Sequence, residues 1–230
     1  VARAAVAPAR PGRAAALRTS VTALLLALSA SACSGGAGRP ADAAAGAEPG
    51  LAACGRVFGA GNVEALRADL GEGFRPHDRP LTEMKERMLA EAQVWDPDTD
   101  KLSRTTFRPC QVEGRVDGKE AWVNAVVGWS TYDVTFVTDG KYSRDFREVA
   151  KGVHLDRREG FGGHPLIMAC TVPGTRAGQG EELPLQVSVV DTDRTDRSVS
   201  TDQLLKSLAE NTRELLGCAE KPPIPDDLLP

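Results

Sequence analysis

The sequence predicts an α+β domain in which an antiparallel sheet is flanked by helices, and three observations carry the prediction. Helical periodicity is confined to two regions, roughly 51–95 and 200–216. The stretch between them carries alternating or continuous short apolar runs, separated by Asp-Gly and Gly-rich turns. The strict strand–helix alternation of a parallel sheet is absent, so helices, then four to five strands, then a helix is the expected order.

The N-terminal segment is read first as an address. "VTALLLALSASACSGG" contains twelve uncharged residues from Val21 to Ala32, preceded by Arg3, Arg10, Arg13 and Arg18 and by no acid. As a helix it covers roughly 18 Å, short of the ~30 Å hydrocarbon core, so it is not a membrane span. Basic head, short apolar middle and small residues at the end describe an export signal over residues 1–32. Two cleavage chemistries fit. Ala30-Ser31-Ala32 satisfies the small-x-small rule of ordinary signal peptidase. Ala32-Cys33-Ser34-Gly35-Gly36 resembles a lipobox, in which Cys33 receives a diacylglycerol, although Ala30 stands where leucine is usual.

The cysteine count favours the second. The chain holds Cys33, Cys54, Cys110, Cys170 and Cys218. In an oxidising compartment cysteines pair, and five pair evenly only if Cys33 is consumed by lipid. Three connectivities of the other four exist. Cys54–Cys110 with Cys170–Cys218 is preferred, because each bridge joins neighbours along the chain and each involves a helix end. No two of the four lie in a CxxC or zinc-ribbon spacing.

Residues 33–50 are small, Pro-containing and nearly featureless after Cys33, the composition of a flexible tether with a reach of roughly 20–25 Å. Residues 51–218 form the expected single domain. "LAACGRVF" reads as one or two helical turns. Asn62 is expected to cap a short helix with Val63, Leu66 and Leu70 on one face, ended by Gly71. Pro80 opens a longer helix whose stripe is Leu81, Met84, Met88, Ala92 and Trp95, stopped by Pro97. "RTTFRPCQVEGRV" reads as a strand, Asp117-Gly118 as a tight turn, and "AWVNAVVGW" as a central strand covered on both faces. "TYDVTFV" alternates and reads as a strand before an Asp139-Gly140 turn. Residues 143–151 fit a short helix or an irregular edge. "HPLIMACTV" and "LPLQVSVV" read as strands joined by "PGTRAGQGEE". The last helix is the clearest element. Ser200 caps it, Gln203 completes a capping box, Val199 staples to Leu204, and Gly217 ends it. Residues 219–230 read as a loose tail.

Charge narrows the function. The chain holds 28 basic and 32 acidic residues. Loss of the signal with its four arginines would leave a net charge of −8, which argues against nucleic acid and against attraction to anionic lipid head groups. No chemical motif closes. His77 lies in a turn-like "RPHDRP". His154 and His164 flank "LDRREGFGG", a possible hairpin loop that with Asp156 would be a metal site only if it brought them together. Asp96, Asp98 and Asp100 mimic the opening of a calcium loop, but Lys101 and Phe107 occupy its turn-glycine and glutamate positions. Asp191, Asp193 and Asp196 are weaker still. Gly59-Ala60-Gly61 lacks the third glycine of a dinucleotide fingerprint, and Ser130 lacks the closing glycine of a nucleophile elbow. Trp122, Trp129, Tyr132 and Phe136 fit core better than a ligand groove. Neither a cofactor nor a metal is implied.

The lipobox-like Cys33, the Gly/Ala tether, "AACGRVFGAGNVEALRADLG", "FRPCQV", "LIMACTVPG", "LPLQVSVV" and the closing "ELLGC" together resemble, in layout, the small arginine-rich lipoproteins of unknown function of actinobacteria. The resemblance implies a small α+β domain that binds a ligand or an envelope partner at the cell surface, and it transfers no catalytic residue. The expectation is therefore a non-enzymatic binding domain, lipid-anchored to the outer face of the cytoplasmic membrane. Its alternatives are a secreted soluble protein and an exported hydrolase of cell-wall or small substrates.

Overall fold

A computed structural model describes residues 51–142, 144–158, 163–192 and 197–229. The signal, Cys33 and the tether, as well as Asp193 and Asp196, lie outside the described residues.

The architecture is α+β. The helices are α1 (Ala52–Phe58), α2 (Ala60–Leu70), α3 (Leu81–Val94), α4 (Val134–Thr138), α5 (Gln179–Glu182) and α6 (Thr201–Leu216). Of these, α1, α2, α3 and α6 pack on one face of an antiparallel sheet, and the short α4 packs against Ile167 on the other. The strands are β1 (Arg75–Asp78), β2 (Thr106–Phe107), β3 (Cys110–Val116), β4 (Lys119–Trp129), β5 (Phe146–Ala150), β6 (Val153–Asp156), β7 (Leu166–Met168) and β8 (Leu185–Asp191). They run in the order β1-β3-β4-β8-β7-β6-β5, with β2 also paired to β4. Eight described strands thus replace the four to five expected. β1 was hidden by Pro76, which an edge strand accommodates because one side of it needs no donor. β5 is the irregular edge, its register to β6 shifting between Glu148 and Ala150.

β4 is the central strand, bonded to β3 on one side and β8 on the other. β2 and β3 lie along the same edge of β4, because the expected single strand is interrupted at Arg108-Pro109. Asp117 and Gly118 both have positive φ, 51° and 76°, the geometry of the tight hairpin that joins β3 to β4. Ala121, Val123, Ala125, Val127 and Trp129 of β4 are buried in the main core with Leu66, Leu70, Met88, Leu204 and Leu208 of the helices. Trp129 donates its Nε1–H to the Met88 carbonyl at 3.1 Å, which ties the sheet to α3. At Gly114 the backbone of α2 comes so near that a Cβ would stand 2.6 Å from the Leu70 carbonyl oxygen. Ile167, between the core residues Leu166 and Met168, points the other way and forms a second cluster with Val137 and Phe146.

Side-chain caps open two of the described helices, α4 and α6. Ser200 accepts from the Gln203 N–H at 3.1 Å, and Gly217 closes α6 in the left-handed conformation, both as expected. Among the described residues no bond from the Ser200 N–H to Gln203 Oε1 completes the capping box; the Gln203 Nε2 donates to Asn62 Oδ1 at 2.9 Å. Asn62 is accordingly not a cap. It lies inside α2, which starts after Gly59, and it donates to the Phe58 carbonyl and to Ser207 Oγ. "TYDVTFV" is a bend leading into α4 and not a strand: Asp133 accepts from the Phe136 N–H at 2.6 Å, and Ser130 Oγ accepts from the Tyr132 N–H at 2.9 Å. These local bonds give the backbone an alternative to a ladder, which outweighs apolar alternation over so short a run.

Two disulfides, Cys54–Cys110 and Cys170–Cys218, brace the domain in the pairing preferred from the sequence. The first fastens α1 to the start of β3, the second fastens the end of α6 beside the end of β7. The C-terminal segment is not loose. Ile224 and Leu228 are buried, the Leu228 and Leu229 N–H groups donate to Asp202, and Arg147 and Arg213 donate to the Leu228 and Pro222 carbonyls. Composition hid this, because proline suppresses regular structure without preventing apolar side chains from docking.

Candidate functional site

The side chains singled out in the sequence go mostly to structural work. His77 is on β1, its Nε2 3.0 Å from Glu113 Oε1, where Arg75 also reaches. His77 and Arg75 hold the Glu113 carboxyl below its ordinary range. The His154–His164 hairpin exists as β6 and β7, and among the described residues the two histidines do not join a group placed to hold a metal ion. His154 is buried opposite Ile167, and burial lowers its pKa. His164 Nδ1 lies 3.2 Å from the Asp156 carbonyl, and the Asp156 carboxylate is taken by Arg158.

Asp100 is likewise committed, to a bidentate pair with Arg104 at 2.5 and 2.7 Å that holds it far below the usual carboxylate range. Asp96 accepts from the Asp98 N–H, and Asp191 pairs with Arg197. Among the described residues, no group of three or more His, Cys, Asp or Glu side chains is placed to hold a metal ion. Gly59 and Gly61 serve the α1–α2 junction, and Ser130 Oγ is buried in its local bond. Of the aromatics, Trp129 is core. Tyr132 and Phe136 pack with Phe146, and Arg158 lies 4.8 Å over the Tyr132 and Phe146 rings. Trp122 lines an open depression with Arg75, Glu113, Arg115 and Glu120.

A different surface gathers unsatisfied charge. Arg79, Arg87 and Arg108 surround a cleft between the first turns of α3 and the β2–β3 break, with Met84, Phe107 and Pro109 among its walls. It shares Arg79 and Pro80 with a depression lined by Ala52, Ala53, Arg56 and Leu81. That depression in turn shares Arg56 and Leu81 with a third, which contains Lys85, Asn211 and Glu214. Through these shared lining residues the three depressions are neighbours on one basic surface, a segmented groove.

Five cations, Arg56, Arg79, Lys85, Arg87 and Arg108, face it against two carboxylates, Glu83 and Glu214. Glu83 is occupied by Arg87 at 2.9 Å. Arg56, Arg79, Lys85 and Arg108 have no side-chain partner among the described residues. The cleft at the Arg79 end encloses about 180 Å3. That is below the ~300 Å3 of a typical drug-sized ligand site, yet ample for a phosphate or carboxylate group.

The groove is positioned by covalent and backbone ties. Arg56 is two residues from Cys54 and Arg108 two residues from Cys110, so one disulfide fixes both. The Arg79 N–H donates to the Pro109 carbonyl at 3.2 Å, which sets Arg79 beside Arg108. Guanidinium groups offer forked donors that match phosphate and carboxylate oxygens. Sequence reasoning missed this surface because its cations come from three segments of a chain whose net charge is −4. No helix among the described residues is long and apolar enough to cross a membrane. Comparison of the chain with protein-family models, with curated proteins and with solved structures finds no match.

Proposed function

We propose that the protein is an exported, non-enzymatic binding module, held at the outer face of the cytoplasmic membrane by lipid on Cys33, and that its groove takes an anionic ligand. The layout shared with small actinobacterial lipoproteins is part of this reading. The observation that carries it is the row of Arg56, Arg79, Lys85 and Arg108 without carboxylate partners, on a face rigidified by the Cys54–Cys110 bridge. Like charges converge there at a cost in self-repulsion that an anion relieves.

The test is a titration of the mature chain with inorganic pyrophosphate as a minimal polyanion, followed by amide chemical shifts. Shifts confined to residues 52–56, 79–87 and 105–109, and lost in Arg79→Glu/Arg108→Glu, are expected. Absent shifts, or shifts spread evenly over the surface, would refute the site.

A further inference from the structure

We infer that the anion this groove meets is the phosphate of net-negative membrane lipid head groups, so that the groove docks the domain against the bilayer carrying its own anchor. The inference rests on the anion-binding reading above and adds the identity of the partner.

The geometry of attachment argues for it. Ala52 and Ala53, the first residues of α1, line the same depression as Arg56 and Arg79. The point where the tether joins the domain therefore lies within the basic surface. Seventeen residues, Ser34 to Gly50, separate Leu51 from Cys33. A chain of that length and composition has a typical end-to-end distance of roughly 20–25 Å. A domain of about 180 residues has a radius of gyration of about 16 Å and hence a diameter of about 40 Å. Such a reach is shorter than a body of that diameter. Faces remote from Leu51 reach the head groups only with the tether stretched, whereas the face around Ala52 reaches them at its relaxed length.

The chemistry agrees with the geometry. The basic surface is a run of separate open depressions lined by three segments of the chain, a shape suited to several head groups side by side. Its cations are four arginines and one lysine, and arginine binds phosphate through two parallel N–H donors. Pro80, Leu81 and Phe107 lie among them, apolar surface that can rest at the head-group level. The overall acidity of the chain does not oppose this. Charges farther than about 8–10 Å from the membrane are screened at physiological ionic strength, so the local excess decides.

Each basic residue at an anionic surface is worth about fivefold in partitioning. Reversing Arg79 and Arg108 together should therefore weaken binding at least ~25-fold. Both are exposed and unpaired, so the substitutions break no internal contact. The experiment is cosedimentation of the mature chain carrying Cys33→Ala, which removes the lipid's own contribution. One set of vesicles contains phosphatidylglycerol in phosphatidylcholine, the other phosphatidylcholine alone.

The protein should sediment with the first set only, be released by high salt, and lose that binding in Arg79→Glu/Arg108→Glu. Arg115→Glu/Lys119→Glu makes the same change in net charge on the β3–β4 hairpin and should leave binding intact. No preference for phosphatidylglycerol overturns the inference, as does equal loss in the hairpin variant. If pyrophosphate still shifts the groove while vesicles fail to bind, the membrane partner falls and the anion site stands. If neither binds, both fall.

Discussion

Replacing Cys54 and Cys110 together by alanine tests the link between the fold's covalent frame and its basic groove. The bridge spans 56 positions and encloses most of α1 together with α2, β1, α3 and β2. In the chain-entropy description a loop of that size restricts the denatured chain by roughly 14 cal/mol/K, or about 4 kcal/mol at 25 °C. Both cysteines are fully buried, so the lost sulfurs also leave a small void that adds to the cost. Against a usual total of roughly 5–15 kcal/mol, that is a large fraction. Urea unfolding should show the midpoint moving down accordingly, and the melting temperature should fall by about 8–16 °C for a domain of this size.

The Cys170→Ala/Cys218→Ala variant opens the other bridge, which closes a loop of 48 positions, and should lose a similar ~4 kcal/mol. The two differ in the groove. Only the first frees Arg56 and Arg108 from their anchor, so only the first should also weaken pyrophosphate binding. A stability loss below about 1 kcal/mol would show that the bridge does not constrain the denatured chain as this description requires. Equal weakening of pyrophosphate binding by both variants would show that the bridge does not position the groove.

Other consequences follow from single contacts. Asp100→Asn should cost about 2–3 kcal/mol at neutral pH, because it leaves Arg104, 8% exposed, without its bidentate partner. Since the folded carboxyl titrates far below its unfolded value of 3.8, this stability is present above that value and is lost as pH falls below it. The variant should therefore show a flatter acid limb in pH-dependent unfolding. Burial keeps His154 neutral below the ordinary imidazole value of 6.5, so the unfolded chain binds more protons as pH drops through that value and stability declines. His154→Gln should remove that slope in the same measurement. Gly114→Ala should destabilise by about 1–3 kcal/mol, through the clash with Leu70, whereas Gly55→Ala, with open space around its Cβ in α1, should stabilise by about 0.5–1 kcal/mol in thermal melts. Leu228→Ala should cost about 2–5 kcal/mol if the C-terminal strap is core, and a change near zero would return that segment to a tail.

Local chemistry made part of this molecule legible from its residues. Ser200 and Gly217 bound α6 on their own, Asp117-Gly118 prescribes a hairpin, and the stripe Met84, Met88, Ala92 selects one face of α3. Each of these depends on residues within a few positions of one another. The disulfide pairing followed from chain order and helix ends. Readings failed where two local rules competed or where a distant partner decided. In "TYDVTFV" the Asp133 cap prevailed over alternation, and Asn62 gave up its capping role because Phe58 and Ser207 lay within its reach. Pro76 and the proline-rich C-terminus hid an edge strand and a docked strap.

The groove shows the division most sharply. An arginine at 56, another at 79 and another at 108 are unremarkable in a sequence with 32 acids, since net charge sums over the chain and says nothing of where charges meet. Only the fold brings the three segments together, through the Cys54–Cys110 bridge and the Arg79–Pro109 hydrogen bond. Periodicity and capping are short-range properties that the residues themselves determine. The convergence of like charges opposes folding locally, so it exists only because the core and the disulfide impose it.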